Sequence, residues 1–198
     1  MLEVISLLIG AIGLLLTAIG TILTIRSQNK KTLEYDITST PLVTDEMSSI
    51  PGLKITMNGS PIKSLISSQI IIRNVGKQDI TPSDFASLEP LGAVVTGKFF
   101  TMEQGYQIIS DNKNFDPSIT FLDDTCVKIG FDYLSPKKAI SVTLLHNGKL
   151  SIKGELKSGK LQSQYTRIKK MRIMKILFDI LSNIIAVIIG LFLASKVL

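Results

Sequence analysis

Lysine and aromatic side chains come together at Lys98-Phe99-Phe100, with Tyr106 a short distance on. Arg73, Lys77, Lys113, Tyr133, Lys137 and Lys138 add cations and rings elsewhere in the middle of the chain. Groups of this kind hold nucleotides: flat side chains stack on a base and cations meet phosphate. Arg73, Lys77, Lys98 and Tyr106 are therefore the candidate ligand-binding residues. The same pairings also occur in the ordinary core and surface of β domains. Phe99 and Phe100 alternate across a strand, so at least one of them belongs to the core.

Catalytic chemistry is harder to assemble. The single histidine, His146, abuts an Asn147-Gly148 turn, and no nucleophile motif accompanies it. It reads as a turn-flanking residue. No Cys/His spacing suggests zinc, and no glycine-rich loop is built to cradle phosphate. Asp123-Asp124 reads as an acidic turn between strands rather than a cation site. Cys126 opens "CVKIGFDY", where Val127, Ile129, Phe131 and Tyr133 alternate inward and Cys126 points outward with Lys128. The expectation is a protein that is not an enzyme, with no catalytic residue, no metal and no cofactor.

The elements that must position these residues are strands. "LEYDITS" alternates Leu33, Tyr35 and Ile37 with polar residues, the period of a half-buried strand. "LKITM" runs into Asn58-Gly59, a hairpin signal. "SLISSQIIIRNV", "GAVVTGKFFTM", "GYQIIS", "SITFL" and "CVKIGFDYL" follow. The last pair, "AISVTLLH" and "KLSIKGELK", meets at Asn147-Gly148 and reads as a second hairpin. Short strands with turns at this spacing predict an immunoglobulin-like β-sandwich. The one cysteine excludes an intrachain disulfide.

The ends of the chain differ from the middle. Val4–Ile25 carries no charge, and Ile176–Ser195 carries one, Asp179. A helix rising about 1.5 Å per residue crosses roughly 30 Å of hydrocarbon in such a length, so two transmembrane helices are expected. Arg26, Lys30 and Lys31 follow the first, and Arg167, Lys169, Lys170, Arg172 and Lys175 precede the second. The positive-inside rule then places the β domain in the cytoplasm and both termini outside, with Lys196 the one dissenter. Ser182, Ala186, Gly190 and Ala194 recur every four residues, with Asp179 and Asn183 on or beside that face. Gly13 and Thr17 belong to a similar stripe in the first span. Small residues at this spacing allow close helix packing, which predicts a homo-oligomer in the lipid bilayer. The chain has 22 Lys+Arg against 16 Asp+Glu, a net charge of +6. That excess is too modest to mark a binder of DNA or RNA polymers.

The order span, β domain, span, with "LEYDITSTPL" after the first span, "IIIRNVGKQDITPSDF" in the middle and a basic helix entering the second, resembles the two-transmembrane-plus-β effectors of bacterial anti-phage defence, the Panoptes-type effectors in particular. The resemblance implies that a partner enzyme makes a cyclic di- or oligonucleotide. That ligand would bind the β domain and control assembly in the bacterial inner membrane, disrupting it. The resemblance carries over no binding residue. The expected organisation is 1–31 first span and basic flank, 32–157 β-sandwich, 158–175 basic helical connector and 176–198 second span. The competing expectation is a constitutive membrane-tethered β module that docks a cytoplasmic protein.

Overall fold

Ten residues, Leu65–Asn74, set the pattern of the β domain. Ser68, Ile70, Ile72 and Asn74 are buried, and their neighbours Gln69 and Arg73 are exposed. Successive strand side chains point to opposite faces, so this alternation buries one face and wets the other. Each fully buried isoleucine contributes about 1.5–3 kcal/mol relative to exposure. In the computed structural model the described residues are 31–57, 59–100, 106–110 and 115–194, with the single positions Gly10, Gly13, Leu16, Thr17, Gly20 and Thr21.

In chain order the elements are β1 (Lys31–Val43), α1 (Asp45–Ser48), β2 (Thr56–Met57), β3 (Ser60–Pro61), β4 (Leu65–Asn74), a 3-10 turn (Pro82–Asp84), β5 (Gly92–Val95), β6 (Lys98–Phe99), β7 (Tyr106–Ser110), β8 (Ser118–Phe121), β9 (Cys126–Gly130), β10 (Ala139–Asn147), β11 (Leu150–Lys153), β12 (Gly159–Ser163) and α2 (Gln164–Ala194). The structure is mostly β-sheet. One sheet runs β12-β1-β4-β10, and β10 then pairs with both β6 and β7. A second runs β11-β5-β9-β8, and β2 pairs with β3 in a two-stranded sheet. One core joins the first two: Leu33, Ile70, Ile72, Ile140, Val142 and Leu144 from the first sheet, and Ala93, Val95, Val127 and Ile129 from the second.

The Asn147-Gly148 turn departs from the expected hairpin. β10 pairs with β4 in the large sheet, whereas β11 pairs with β5 in the second. The turn is thus a corner where the chain changes sheets, with Gly148 at φ 96°. That backbone region suits glycine, which has no Cβ to clash. Residues 159–163, read from sequence as the start of a linker, form strand β12. Asn74, at the end of β4, pins the loop beyond it. Its Nδ2 donates to the carbonyls of Gln78 and Leu134, each at 2.7 Å, and its Oδ1 accepts from Gly76 N at 2.9 Å.

The chain divides into two compact units, residues 1–161 and 162–198. In the second, Ser163 Oγ accepts from Thr166 N at 3.2 Å, a side-chain cap on the first turn of α2.

The expected membrane architecture is corrected. Among the described residues, no helix is long and apolar enough to cross a membrane. The described side chains of α2 include Arg167, Lys169, Lys170, Arg172, Lys175 and Asp179, and each charge placed in hydrocarbon is costly. Most of the first expected span, with Arg26 and Lys30, lies outside the described residues, as do the side chains of Ala186, Gly190 and Ala194. The membrane-protein fold class and the inner-membrane location with a cytoplasmic β domain are withdrawn.

Two of the hydroxyls assigned to helix packing bond within their own helix. Thr17 Oγ1 donates to Gly13 O at 2.8 Å, and Ser182 Oγ donates to Asp179 O at 2.9 Å. Hydroxyls bonded within their own helix need no partner helix to be paired.

Candidate functional site

At one end of the β domain the core face of the large sheet changes character. Ile70, Val142 and Leu144 give way to Ser68 and His146, both buried. The alternation of β10 carries Ile140, Val142, Leu144 and His146 to the same inner face. His146 is therefore a core residue, and its position beside a turn conceals this. Its Nε2 lies 2.7 Å from Ser68 Oγ, which lies 2.7 Å from Ser39 Oγ. The His146 ring meets Phe99 edge to face, with centroids 6.0 Å apart.

Phe99 belongs to β6, held to β10 by two register pairs, His146↔Phe99 and Asn147↔Lys98. Three further hydrogen bonds fix this short strand. Lys98 N donates to Asn147 Oδ1 at 2.6 Å, Phe99 N to Asp124 O at 2.6 Å, and Phe100 N to Leu145 O at 2.8 Å. Phe99 is buried, and Phe100 is half-buried on the opposite side. The Lys98 ammonium stands 5.3 Å from the centre of the Phe100 ring. A cation over a ring gains about 0.5–1 kcal/mol at an exposed site, which favours this placement of the charge.

Beside this strand opens a cleft of about 510 Å³, lined by Met57 and the stretch Ser60–Ser64 on one side and by Lys98, Phe99, Phe100, Asp124 and Asn147 on the other. Its volume falls within the range of small-molecule sites, about 300–1,000 Å³. Lys63 and Lys98 bring two positive charges to it, and Asp124 brings one negative charge. The neighbouring Asp123 is occupied otherwise. Its Oδ1 accepts from Thr125 N at 2.6 Å and from Thr125 Oγ1 at 2.7 Å. These bonds from Thr125 hold its carboxyl below the usual carboxylate range and fix the turn that carries Asp124.

No protein-family model, curated protein or solved structure matches this chain. The site is therefore read from its own geometry, and that geometry divides the sequence candidates. Lys98 lines the cleft. Arg73 does not: it pairs with Ala139 at the far end of β10, eight residues from Asn147, the partner of Lys98. At about 3.3 Å per residue that is about 26 Å. Lys77 is exposed beyond the end of β4, on the Arg73 side. The backbone of Tyr106 pairs with Leu144 in β7, and its side chain lies outside the described ones. Lys63, Asp124 and Asn147 also line the cleft; the sequence reading took Asp124 and Asn147 as turn residues and did not name Lys63. No local pattern marks Lys63, because only the chain's return past β6 brings it to the cleft.

Proposed function

We propose that the β domain is a non-catalytic sensor. On this reading the cleft beside β6 binds a small, negatively charged, ring-bearing ligand of the nucleotide class. The observation that carries it is the Lys98 ammonium held over the Phe100 ring at the mouth of a cleft that Lys63 also lines. The two lysines would meet phosphate, while Phe100, Ile62 and Met57 offer apolar surface to a base. Cyclic di- and oligonucleotides are the ligand class that the resemblance to the anti-phage effectors implies.

Sensing requires that the ligand bind one state of the chain more tightly than another, since equal affinity shifts nothing. Self-association of the chain is the output proposed. The test is thermal unfolding of the full-length chain with cyclic dinucleotides and with the corresponding nucleosides. Stabilisation of about 2.7 kcal/mol is expected at a hundredfold excess over the dissociation constant. Nucleosides, which lack phosphate, are expected to give little. Equal stabilisation by both, or none by either, would refute a phosphate-reading cleft.

A further inference from the structure

His146 is 1% exposed and stands directly behind the cleft wall. One side of its ring ends a hydrogen-bonded series, Ser39–Ser68–His146, that crosses three neighbouring strands, β1, β4 and β10. The other side packs on Phe99. Ser39 is exposed and Ser68 is fully buried, so the series runs from solvent to imidazole. Nδ1 has no hydrogen-bond partner among the described residues.

A neutral imidazole suits this setting, because one ring nitrogen is engaged by Ser68 and the other carries no charge. An imidazolium does not suit it. It has two N–H donors and a positive charge, and the series offers one acceptor, Ser68 Oγ. Among the described residues the buried carboxylate on these strands is Glu34 of β1, which pairs with Arg73 at the end of the sheet away from His146. β1 and β4 present Ser39 and Ser68, and β10 itself presents Leu144. Lys98 on β6, Lys149 after the corner, and Asp123 and Asp124 in the β8–β9 turn are all exposed. Burial pushes the imidazole below its ordinary value of 6.5, against the backbone of Gly148 and Asn147, which favours the charged form.

We propose that His146 is a proton-operated latch on the cleft: the neutral ring holds Phe99 and the two-pair strap of β6 in place, and protonation releases them. The strap is the element that yields, since two register pairs hold it where β4 holds β10 by eight. Its release gives the imidazolium water and moves Lys98, Phe99 and Phe100 together. The functional consequence rests on the cleft being the ligand site, but the latch itself can be tested without ligand.

Because the chain has one histidine, a full-length sample labelled with ¹³C in histidine gives a single imidazole signal. That signal and the backbone amides of Phe99 and Phe100 are followed by NMR from about pH 7.5 down to about pH 4.5, which brackets the ordinary imidazole range. The expected result is a midpoint below 6.5, shared by the two β6 amides, while the amides of Ile72 and Ile140 stay still. In His146→Gln the β6 amide movement should vanish. If that variant does not fold, the wild-type titration decides alone. A midpoint at or above the ordinary value, or β6 amides that ignore the imidazole, would overturn the latch. A latch that titrates as expected in a protein that binds no cyclic nucleotide would support the latch and count against the proposed ligand alone.

Discussion

Asn74 illustrates the weight a single buried polar side chain carries here. It is fully buried, and its amide pairs three backbone groups of the β4–β5 connection and of Leu134. Asn74→Ala removes three hydrogen bonds, each worth about 0.5–1.5 kcal/mol, while Gly76 N keeps Thr32 O and Leu134 O keeps Ile80 N. A loss of about 2–4 kcal/mol in chemical denaturation is expected. Lys31 and Asp84 give a smaller, pH-dependent effect. They lie 2.6 Å apart, with side chains about one-fifth exposed. Burial works against the Asp84 carboxylate, but the hydrogen bonds from Lys31 and Thr81 and the Lys31 charge outweigh it and hold its pKa below 3.8. The unfolded chain therefore takes up this proton first as pH falls. The stabilisation is present above the ordinary carboxylate range and is lost as pH falls through the folded value. Lys31→Met should cost about 1 kcal/mol or less near neutrality, since solvent screens a part-exposed pair, with the difference from wild type shrinking in acid. The sequence shows Asn74 at the end of a strand. It does not show that Leu134, sixty residues on, receives its hydrogen bond.

At the scale of elements, the alternating strands were legible because a sheet with one buried face imposes period two on its residues. β4, β9 and β10 follow that rule closely. Their pairing was not legible. Asn147-Gly148 carries the signal of a hairpin, yet it turns a corner between sheets, because Ile152 meets Ala93 and not a residue of β10. The same rule hid the site. His146 has the parity of a core residue, but the sequence reading took it only as flanking the turn. Gly97, before β6, shows how tightly that corner is built. A Cβ there would meet the backbone and side-chain oxygens of Asn147. Gly97→Ala should displace Asn147 from Lys98 N, destabilise the domain by about 1–3 kcal/mol and raise amide exchange at Phe99 and Phe100. Unchanged exchange at those two amides would mean that Asn147 does not secure β6.

For the molecule as a whole, the two ends invited a reading that the described residues do not carry. The apolar runs were plain in the sequence, but among the described residues no helix is long and apolar enough to cross a membrane. What remains is a β domain with a cationic, ring-bearing cleft at one end. Its stability should also report the buried histidine. The unfolded chain binds a proton at the ordinary imidazole value of 6.5, while the folded chain resists it, so stability falls as pH drops through that value toward the folded one. His146→Gln should flatten that part of the profile in urea titrations taken at successive pH values.

The most direct measurement is isothermal titration calorimetry of the full-length chain with cyclic dinucleotides, comparing Lys98→Ala and Lys63→Ala with Arg73→Ala and Lys77→Ala. A single saturable site is expected in the wild type. Either cleft substitution should weaken it about tenfold, which corresponds to about 1.4 kcal/mol. The two distant substitutions should leave it unchanged. No binding to any cyclic nucleotide, or a site lost with Arg73 and indifferent to Lys98, would contradict the cleft as the seat of ligand recognition.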